Sequence, residues 1–566
     1  MIPFIQSARS KASWMVAVLP VLATMTSAVA QDAPQVTPRD LRPAPASAPP
    51  VAVPLPAPAT APAGSANLFV RVADIELIDG FAELALASRA LIVPMLDQQL
   101  SVADFYKLAE AIEQLYRDAG YALIRVTAPP QQLNDGGTLR LLVVDGFIER
   151  VDLSGVPEAS RAVVDATLAP LVGRRRLSNQ ELERALTLAG RAPGLALRSA
   201  LAAGTQAGGV VLAVEGRFSA LMGSLSIDNR LSDTLGPWQS ALQLRLNQPL
   251  GRGEQFYGYF AGGVNLARLL HSDAARRVAG GGVIIPLGAN GLALNPEYTL
   301  SDTNTPGQFF LPPTRSEFER ATLRLSYPLI MQRGNELNLT GAFEMANQRN
   351  SAPDFGLLLN HDKLRVLRAS ADWNYAAGPS ALRMSTTLSR GLKALGARSE
   401  NDAVASGVPL SRFGATPAFT KLEWGASFAT PLGAGLQSRS TLRAQKAFDT
   451  LPSAEVFSLE GEDALSTFTA GALSNDSGWT LRQEFARPVA FSLGGQELPL
   501  APYVFYAAGK ARPKVGLAAN GLSRSYGVGL RSVLGPVSLA MEWGRRTTRP
   551  NALDDSQFFL KGQVQF

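Results

Sequence analysis

From Arg217 to the C-terminus, apolar and polar residues alternate along the chain and no helical period interrupts them. The segments 242–247, 337–345 and 421–428 show the alternation most clearly. Alternate side chains of a strand face opposite sides, so one side would be apolar while the other carries full charges. A soluble β-sandwich can look similar over a few strands. Here the pattern continues in pieces of about ten residues, which fit tilted strands crossing a bilayer. It therefore predicts a transmembrane β-barrel over 217–566.

About sixteen antiparallel strands are predicted, and an even number lets the first and last strands pair. They lie near 220–229, 239–249, 254–265, 275–287, 291–301, 318–330, 335–347, 362–377, 380–391, 418–431, 435–447, 477–489, 499–510, 522–533, 536–546 and 556–566. Short connections such as 431–435 and 534–536 are typical of periplasmic turns. The long polar connections 302–317, 392–417 and 448–476 are typical of extracellular loops.

The alternation also predicts which side chains face the lumen and which face lipid. Those predicted to face the lumen are Asn338, Glu344, Glu423 and Arg443. Those predicted to face lipid are Leu339, Phe343, Trp424 and Leu442. The last strand alternates up to the terminal Phe566, and a terminal aromatic residue is common in outer-membrane barrels.

A small α+β unit of β-α-β-β type is predicted at 67–148. Its first strand covers 68–78, and its helix begins after Ser101, which pairs with Asp104 as a capping box. Gly120 ends this helix, and two strands follow it. The apolar face of the helix is formed by Phe105, Leu108, Ile112 and Leu115. The two later strands are 121–127 and 139–144.

A second β-α-β-β unit is predicted at 149–216. It begins with a strand at 149–153, and Ser178 with Glu181 forms a capping box for its helix. Pro193 and Gly194 stop the helix. The strands that follow are 195–201 and 209–215.

The N-terminus has the features of an export signal. Arg9 and Lys11 supply the positive charge, 14–23 is a short apolar stretch, and 28–30 fits the small-x-small cleavage rule. We expect residues 1–30 to be a signal peptide cleaved before Gln31. An Ala/Pro-rich linker is expected at 31–66, because such a composition cannot bury a core.

Composition excludes several kinds of site. The chain has no cysteine, which excludes disulfides, thiol nucleophiles and Cys₄ zinc sites. Its two histidines, His271 and His361, are expected to be isolated loop residues rather than metal ligands. After the N-terminal segment no apolar stretch is long enough for a helical membrane span. The net charge of +6 comes without a basic run interleaved with aromatics, so nucleic acid is not expected as a partner. No cofactor is expected.

Several runs then carry a resemblance. The first unit contains the run IEQLYRDAGY, in which Ile112, Tyr116, Gly120 and Tyr121 mark a helix and its following turn. Further runs follow in the same order along the chain: Pro130-Gln131, Asp135-Gly136, Val144-Asp145-Gly146, Leu177-Ser178-Asn179, Glu181 to Ala185, Pro193-Gly194, Ile227-Asp228-Asn229 and Asn247 to Gly251. Together they resemble the outer-membrane transporters of two-partner secretion systems, the haemolysin-activator and haemagglutinin-transporter (TpsB) type.

The resemblance implies a barrel of sixteen strands in the outer membrane of a Gram-negative bacterium. It also implies two periplasmic polypeptide-transport-associated (POTRA) domains that catch an unfolded exoprotein, and a long loop folded back into the pore. The partners would be the exoprotein and outer-membrane lipid. Nucleotide hydrolysis is not expected, and no Gly-rich phosphate loop followed by Lys-Ser/Thr is present.

One departure concerns the long loop 448–476. The family has a Val-Arg-Gly-Phe/Tyr tetrad at the loop tip, and the matching residues here are Leu465, Ser466, Thr467 and Phe468. The acidic strand residue that pairs with the arginine of the tetrad is replaced by Ala507. We expect the tip to remain in the lumen, held more loosely by apolar contacts and neutral hydrogen bonds.

A second departure is at the N-terminus, where the family often has a plug helix. Pro34 and Pro38 make such a helix short or absent. Two other functions share this scaffold: a passive pore with vestigial POTRA domains, and a relative that assembles barrels or exports a lipoprotein. An enzyme is the least favoured, because Glu344 and Glu423 are better explained as polar lumen residues.

Overall fold

The structure is a computed structural model that describes residues 41–43, 61–264, 274–307, 312–469, 471, 473–493, 496–515, 521–548 and 553–566. The predicted signal peptide, most of the predicted linker and His271 lie outside the described residues. Within those ranges, no helix has the length and apolar character needed to cross a membrane.

The first α+β unit forms a mixed four-stranded sheet. Its elements are β1 (Phe69–Ile78), α1 (Ala85–Ile92), β2 (Gln99–Ser101), α2 (Val102–Asp118), β3 (Ile124–Thr127) and β4 (Gly137–Asp145). The strand order is β2-β1-β4-β3, with β1 and β4 parallel. The predicted helix is confirmed as α2, and both hydrogen bonds of its Ser101–Asp104 capping box are present. Helix α1 was not predicted, because its own apolar residues, such as the exposed Leu86, do not line up on a single face of the helix.

The second unit forms a three-stranded sheet with order β5-β7-β6. Its elements are β5 (Phe147–Gly155), α3 (Glu158–Leu168), α4 (Asn179–Gly190), β6 (Leu195–Ala203) and β7 (Gly209–Phe218). Helix α4 has the predicted Ser178–Glu181 capping box. Helix α3 was not predicted, because Pro157 precedes it and no side chain caps its N-terminus. The second unit is therefore β-α-α-β-β rather than β-α-β-β.

After a two-residue link, the chain enters a closed antiparallel barrel. Its first elements are β8 (Leu221–Asp228), β9 (Gln239–Asn247), β10 (Gln255–Gly263), β11 (Arg276–Pro286), β12 (Ala293–Thr305), β13 (Thr314–Gln332), β14 (Asn335–Ala352), β15 (Leu357–Ala377) and β16 (Ser380–Gly391). Its later elements are α5 (Glu400–Ser406), β17 (Thr420–Gly433), β18 (Leu436–Ala447), β19 (Phe457–Ser458), β20 (Ser474–Asn475), β21 (Ser477–Ala486), β22 (Val489–Leu493), β23 (Gln496–Arg512), β24 (Ser523–Leu534), β25 (Val537–Thr548) and β26 (Leu553–Gln565).

The described strands of the barrel occupy sixteen positions, as predicted. Strands β21 and β22 both pair with β23 and so form one interrupted strand. Strand β26 closes the barrel by pairing with β8, with Lys561 opposite Asp228. The short strands β19 and β20 pair only with each other, within the loop that follows β18. Strands β13 to β15 have 19, 18 and 21 residues, so they are longer than predicted and longer than a bilayer crossing needs.

The predicted sides of the barrel wall are confirmed. Leu339 and Trp424 are 39% and 42% exposed on the outer side. Glu344 is buried and forms an ion pair with Arg368, and Arg443 donates a hydrogen bond to a loop that lies in the lumen. The alternation in the sequence therefore corresponds to an apolar outer surface and a charged lumen.

Candidate functional site in the barrel lumen

The loop 448–476 between β18 and β21, called the lumen loop below, folds back against the inside of the barrel wall. Its predicted tip motif, Leu465 to Phe468, is almost fully buried: the first three residues are 0% exposed and Phe468 is 4% exposed. The expected return of this loop into the pore is therefore present in the structure.

The tip lies on one row of lumen-facing wall residues. In the strand register, Arg482 of β21 lies opposite Ala507 of β23, which lies opposite Ser525 of β24. Ser525 in turn lies opposite Arg546 of β25. The row therefore has a guanidinium group at each end, with a methyl group and a hydroxyl group between them.

Each residue of the tip motif contacts part of this row. Leu465 and Phe468 pack in one apolar cluster with Ala507. Thr467 donates a hydrogen bond from Oγ1 to Oγ of Ser525 over 2.8 Å. The predicted proximity of the tip to Ala507 is thus present, through apolar contact.

Ser466 makes the most polar contact of the tip. Its Oγ accepts a hydrogen bond of 2.6 Å from Nη1 of Arg482, and its carbonyl oxygen accepts one of 3.0 Å from Arg230. The expectation that only neutral groups hold the tip is therefore wrong. A wall arginine supplies a charge-assisted hydrogen bond, which is stronger than a neutral one.

Arg482 is buried and is compensated on several sides. Its Nη2 lies 2.8 Å from Oε2 of Glu542 and 3.3 Å from Oε2 of Glu484. Its guanidinium lies 3.9 Å from the ring centroid of Phe505. An uncompensated buried charge would be costly, so these groups allow Arg482 to remain charged and oriented toward the tip. The alternation of the sequence predicts that Arg482, Glu484 and Glu542 face the lumen, but it does not predict that they form ion pairs with one another.

Two acidic residues, Glu455 and Asp476, hold the lumen loop nearer its ends. Glu455 lies 2.6 Å from Arg368 and 2.9 Å from Lys421, two wall residues. Asp476 at the end of the loop accepts hydrogen bonds from Arg412 and from the backbone of Leu451. The loop is therefore attached at its start, at its tip and at its end.

The described part of the linker also lies in the lumen. Leu41 is only 2% exposed. Its Cδ1 packs against Gly280 of β11, in the space that the Cβ atom of any larger residue at position 280 would occupy. Arg42 donates a hydrogen bond of 3.5 Å to Ser326 of β13. Residues 41–43 have no helical structure, and the rest of the expected plug segment lies outside the described residues.

In the first α+β unit, two of the predicted site residues are core residues. Ile112 and Tyr116 are 0% exposed, and the Tyr116 hydroxyl accepts a hydrogen bond from the backbone of Phe81. They stabilise the unit rather than offering a binding surface.

Gly120 and Tyr121, in contrast, lie at the junction of the two units. The carbonyl oxygen of Gly120 accepts a hydrogen bond from the backbone of Asn179. The hydroxyl of Tyr121 donates to Glu83 over 2.7 Å, and Glu83 also pairs with Arg176 of the second unit. The turn after α2 thus connects the two units.

The second unit is attached to the near rim of the barrel. Arg191 forms an ion pair of 2.5 Å with Glu336 at the start of β14. Arg184 donates to the carbonyl oxygen of Pro328. Since only Ser219 and Ala220 separate β7 from β8, this unit lies at a fixed place beside one end of the lumen.

A sixteen-stranded barrel, two α+β units at one end and a loop folded into the lumen together define a POTRA-containing outer-membrane barrel. The sequence profile described as "Haemolysin secretion/activation protein ShlB/FhaC/HecB" matches residues 209–532, and "POTRA domain, ShlB-type" matches residues 71–146. The chain belongs to this haemolysin secretion/activation family, which confirms the resemblance to two-partner secretion transporters. The barrel accordingly lies in the outer membrane and the POTRA region in the periplasm.

Individual relatives agree with this assignment. The heme/hemopexin transporter protein HuxB of Haemophilus influenzae is 24% identical over 28% of this chain and 28% of its own length. The hemolysin transporter protein HpmB of Proteus mirabilis is 29% identical over 28% of this chain and 27% of its own length. The matched stretch thus spans less than a third of each of these relatives. CdiB from Escherichia coli has a similar fold, with a TM-score of 0.71, 19% identity and coverage of 99% of this chain and 100% of that chain.

Proposed function

We propose that this protein is a secretion pore that catches an unfolded exoprotein in the periplasm and passes it through the barrel lumen. The observation that carries the proposal is the lumen loop, which occupies the lumen of a closed barrel through non-covalent contacts. Ionic contacts and hydrogen bonds can be broken and remade without unfolding the strands of the barrel. A polar lumen then allows an extended chain to cross without exposing its amides to lipid.

The second unit offers an edge for capture of an extended chain. Strand β6 is an outer strand of its sheet, and with nine residues it is longer than the outer strands β2 and β3 of the first unit. Outer strand β5, by comparison, is partly covered by a bridge from Ile148 to Val172. An extended peptide can add to an open edge through main-chain hydrogen bonds. We therefore assign capture to β6.

Translocation by this route needs no nucleotide hydrolysis, and the protein is proposed to have no enzymatic activity. The sequence has no phosphate-binding loop of the Walker type. Within the described residues, no group of three or more His, Asp or Glu side chains is placed to hold a metal ion.

Secretion is tested by comparing the proteins in the culture medium of cells with and without this gene. We expect deletion to remove a large exoprotein from the medium, and the intact gene to restore it. A variant without residues 149–216, which include the capture strand β6, should leave a folded barrel in the membrane but should not restore secretion. An unchanged medium after gene deletion would reject the proposal in favour of a passive pore, and defects in other outer-membrane barrels or lipoproteins would favour an assembly or lipoprotein-export function.

Capture at β6 is tested by a single proline. Backbone hydrogen bonds join Gly204 to Gly209 and Ser219 to Gly194 at the two ends of the β6–β7 pair. Pairing alternates along an antiparallel ladder, so the N–H of Ser199 points to the open edge and that of Arg198 toward β7. Ser199→Pro should reduce secretion while the unit stays folded, whereas Arg198→Pro removes a ladder hydrogen bond and should unfold it. Normal secretion by a folded Ser199→Pro protein would exclude β6 as the capture edge.

A further inference from the structure

The lumen loop is strongly acidic. Residues 448–476 contain six Asp or Glu residues and no Lys, Arg or His. A loop that only filled space inside a polar barrel would not need a single sign of charge. The charge of the loop therefore indicates that the wall opposite it is complementary.

Wall cations do face the acidic side chains of the loop. Besides the Glu455 contacts, Glu462 lies 3.1 Å from Lys561 and 3.5 Å from Arg230. Asp463 lies 3.4 Å from Arg439. These cations come from opposite parts of the barrel wall, β15, β17 and β18 on one side and the β26–β8 seam on the other, so the loop carboxylates neutralise charge around much of the lumen.

Three of these cations depend on the loop for a carboxylate partner. Within the part of the chain that the structure describes, the ion pairs of Arg230, Arg439 and Lys561 are all with loop residues. Arg368 and Lys421 each have one wall carboxylate in addition, Glu344 and Glu423 respectively. When the loop leaves, the lumen therefore presents cations that have lost close carboxylate partners, and the low-dielectric walls of a narrow passage focus the potential of these cations.

We propose that the exoprotein segment which replaces the lumen loop is acidic, and that its carboxylates take over the cations released by Glu455, Glu462 and Asp463. This inference rests on the proposed secretion function. An acidic segment would restore the charge balance that the loop provides in the closed pore. A neutral or basic segment would leave Arg230, Arg439 and Lys561 without the close carboxylate partners that the loop supplies, which is unfavourable in a confined space.

The test uses the full chain in planar bilayers, with unfolded peptides of about 20 residues added on the POTRA side. Three peptides share one Gly/Ser background and differ only in carrying Glu, Gln or Lys at the same positions. Because about 1.4 kcal/mol corresponds to a tenfold change in an equilibrium constant, we expect the Glu peptide to block open channels at least about tenfold longer than the Gln peptide at about 0.15 M salt. The difference should largely disappear at about 1 M salt, where charges are screened.

A double variant with a matched control separates lumen charge from total charge. Arg439→Gln with Lys561→Gln should reduce the preference for the Glu peptide. Arg524→Gln with Arg545→Gln removes the same charge from exposed residues on the outer side and should leave the preference intact. Resistance to SDS at room temperature shows that each variant is folded. If the native channel stays closed, the same variants are made in a protein that also carries Ser466→Ala, a substitution expected to favour the open channel.

Equal block by the three peptides, or longer block by the Lys peptide, would overturn the proposal. A preference that both double variants lose equally would overturn it as well, because the lumen cations would then not be its source. These results are independent of the secretion test. If gene deletion removes an exoprotein from the medium but the peptides block equally, the charge inference fails while the secretion function stands.

Discussion

Arg482 of the barrel wall donates a hydrogen bond of 2.6 Å to the hydroxyl of Ser466 at the tip of the lumen loop. The loop tip thus carries the neutral acceptor, and the cation belongs to strand β21. Glu542 and Glu484 hold the guanidinium from the other side. Because Arg482 keeps both carboxylates when the tip leaves, the contact can open without leaving a buried charge unpaired.

Removing the acceptor should therefore favour the open channel. Hydrogen bonds to charged groups contribute about 1.5–3 kcal/mol, so Ser466→Ala should raise the open-to-closed ratio at least about tenfold in planar-bilayer recordings. The matched control is Ser440→Ala, which removes a hydroxyl that donates to Gln483 within the wall and does not touch the loop. Equal opening of the two variants would show that the Arg482–Ser466 contact does not hold the tip.

The fold of the barrel could be predicted because each strand carries its own signal. Strand β16, for instance, has the predicted bounds, 380–391. The capped helices α2 and α4 were predictable for a similar reason, since a capping box lies within four consecutive residues. Helices α1 and α3 lacked such local signals, because α1 has no clear apolar face and no side chain caps α3.

The candidate site was predicted only in part. The position of the tip motif and its approach to Ala507 followed from the family resemblance. The role of Arg482 did not, because it depends on the register of β21 and β23 and on carboxylates more than fifty residues away, such as Glu542. Pairing between distant segments leaves no periodic trace in a single sequence.

Leu339 faces the lipid side of the barrel wall, so a charged residue at this position should destabilise the barrel. Leu339 is 39% exposed on the lipid side of β14, and Arg at a lipid-facing mid-bilayer position costs about 2–4 kcal/mol. Leu339→Arg should therefore lower the free energy of unfolding measured by urea titration in lipid vesicles. Asn338→Arg, one residue along the strand and toward the lumen, is the control and should be tolerated. Equal stability of the two variants would contradict the assigned sides.

The junction between the two α+β units should depend on pH. The hydrogen bond from Tyr121 lowers the pKa of Glu83 below its usual 4.5, and the nearby charge of Arg176 lowers it further. A lowered pKa means that the contact is intact above pH 4.5 and is lost as the pH falls through the lowered value. The effect should be small because the group is exposed.

This pH dependence can be measured with two spin labels, at Lys107→Cys and Arg198→Cys, in a chain that has no other cysteine. The distance distribution between the two units should be constant above pH 4.5 and broaden below it. Glu83→Gln should give the broad distribution at every pH. If Glu83→Gln kept the same pH dependence, the Tyr121–Glu83–Arg176 contact would not be its source.

In the proposed secretion cycle the exoprotein crosses the barrel lumen, and the lumen loop must leave for it to do so. Thr467 Oγ1 and Ser525 Oγ lie 2.8 Å apart, so the sulfur atoms of cysteines placed at these two positions would lie near each other and could be oxidised to a disulfide. In the Thr467→Cys/Ser525→Cys protein, secretion of the exoprotein should stop while the disulfide is formed and resume after reduction, and each single variant should secrete normally. Continued secretion at the normal rate by fully cross-linked protein would show that the exoprotein passes without departure of the lumen loop.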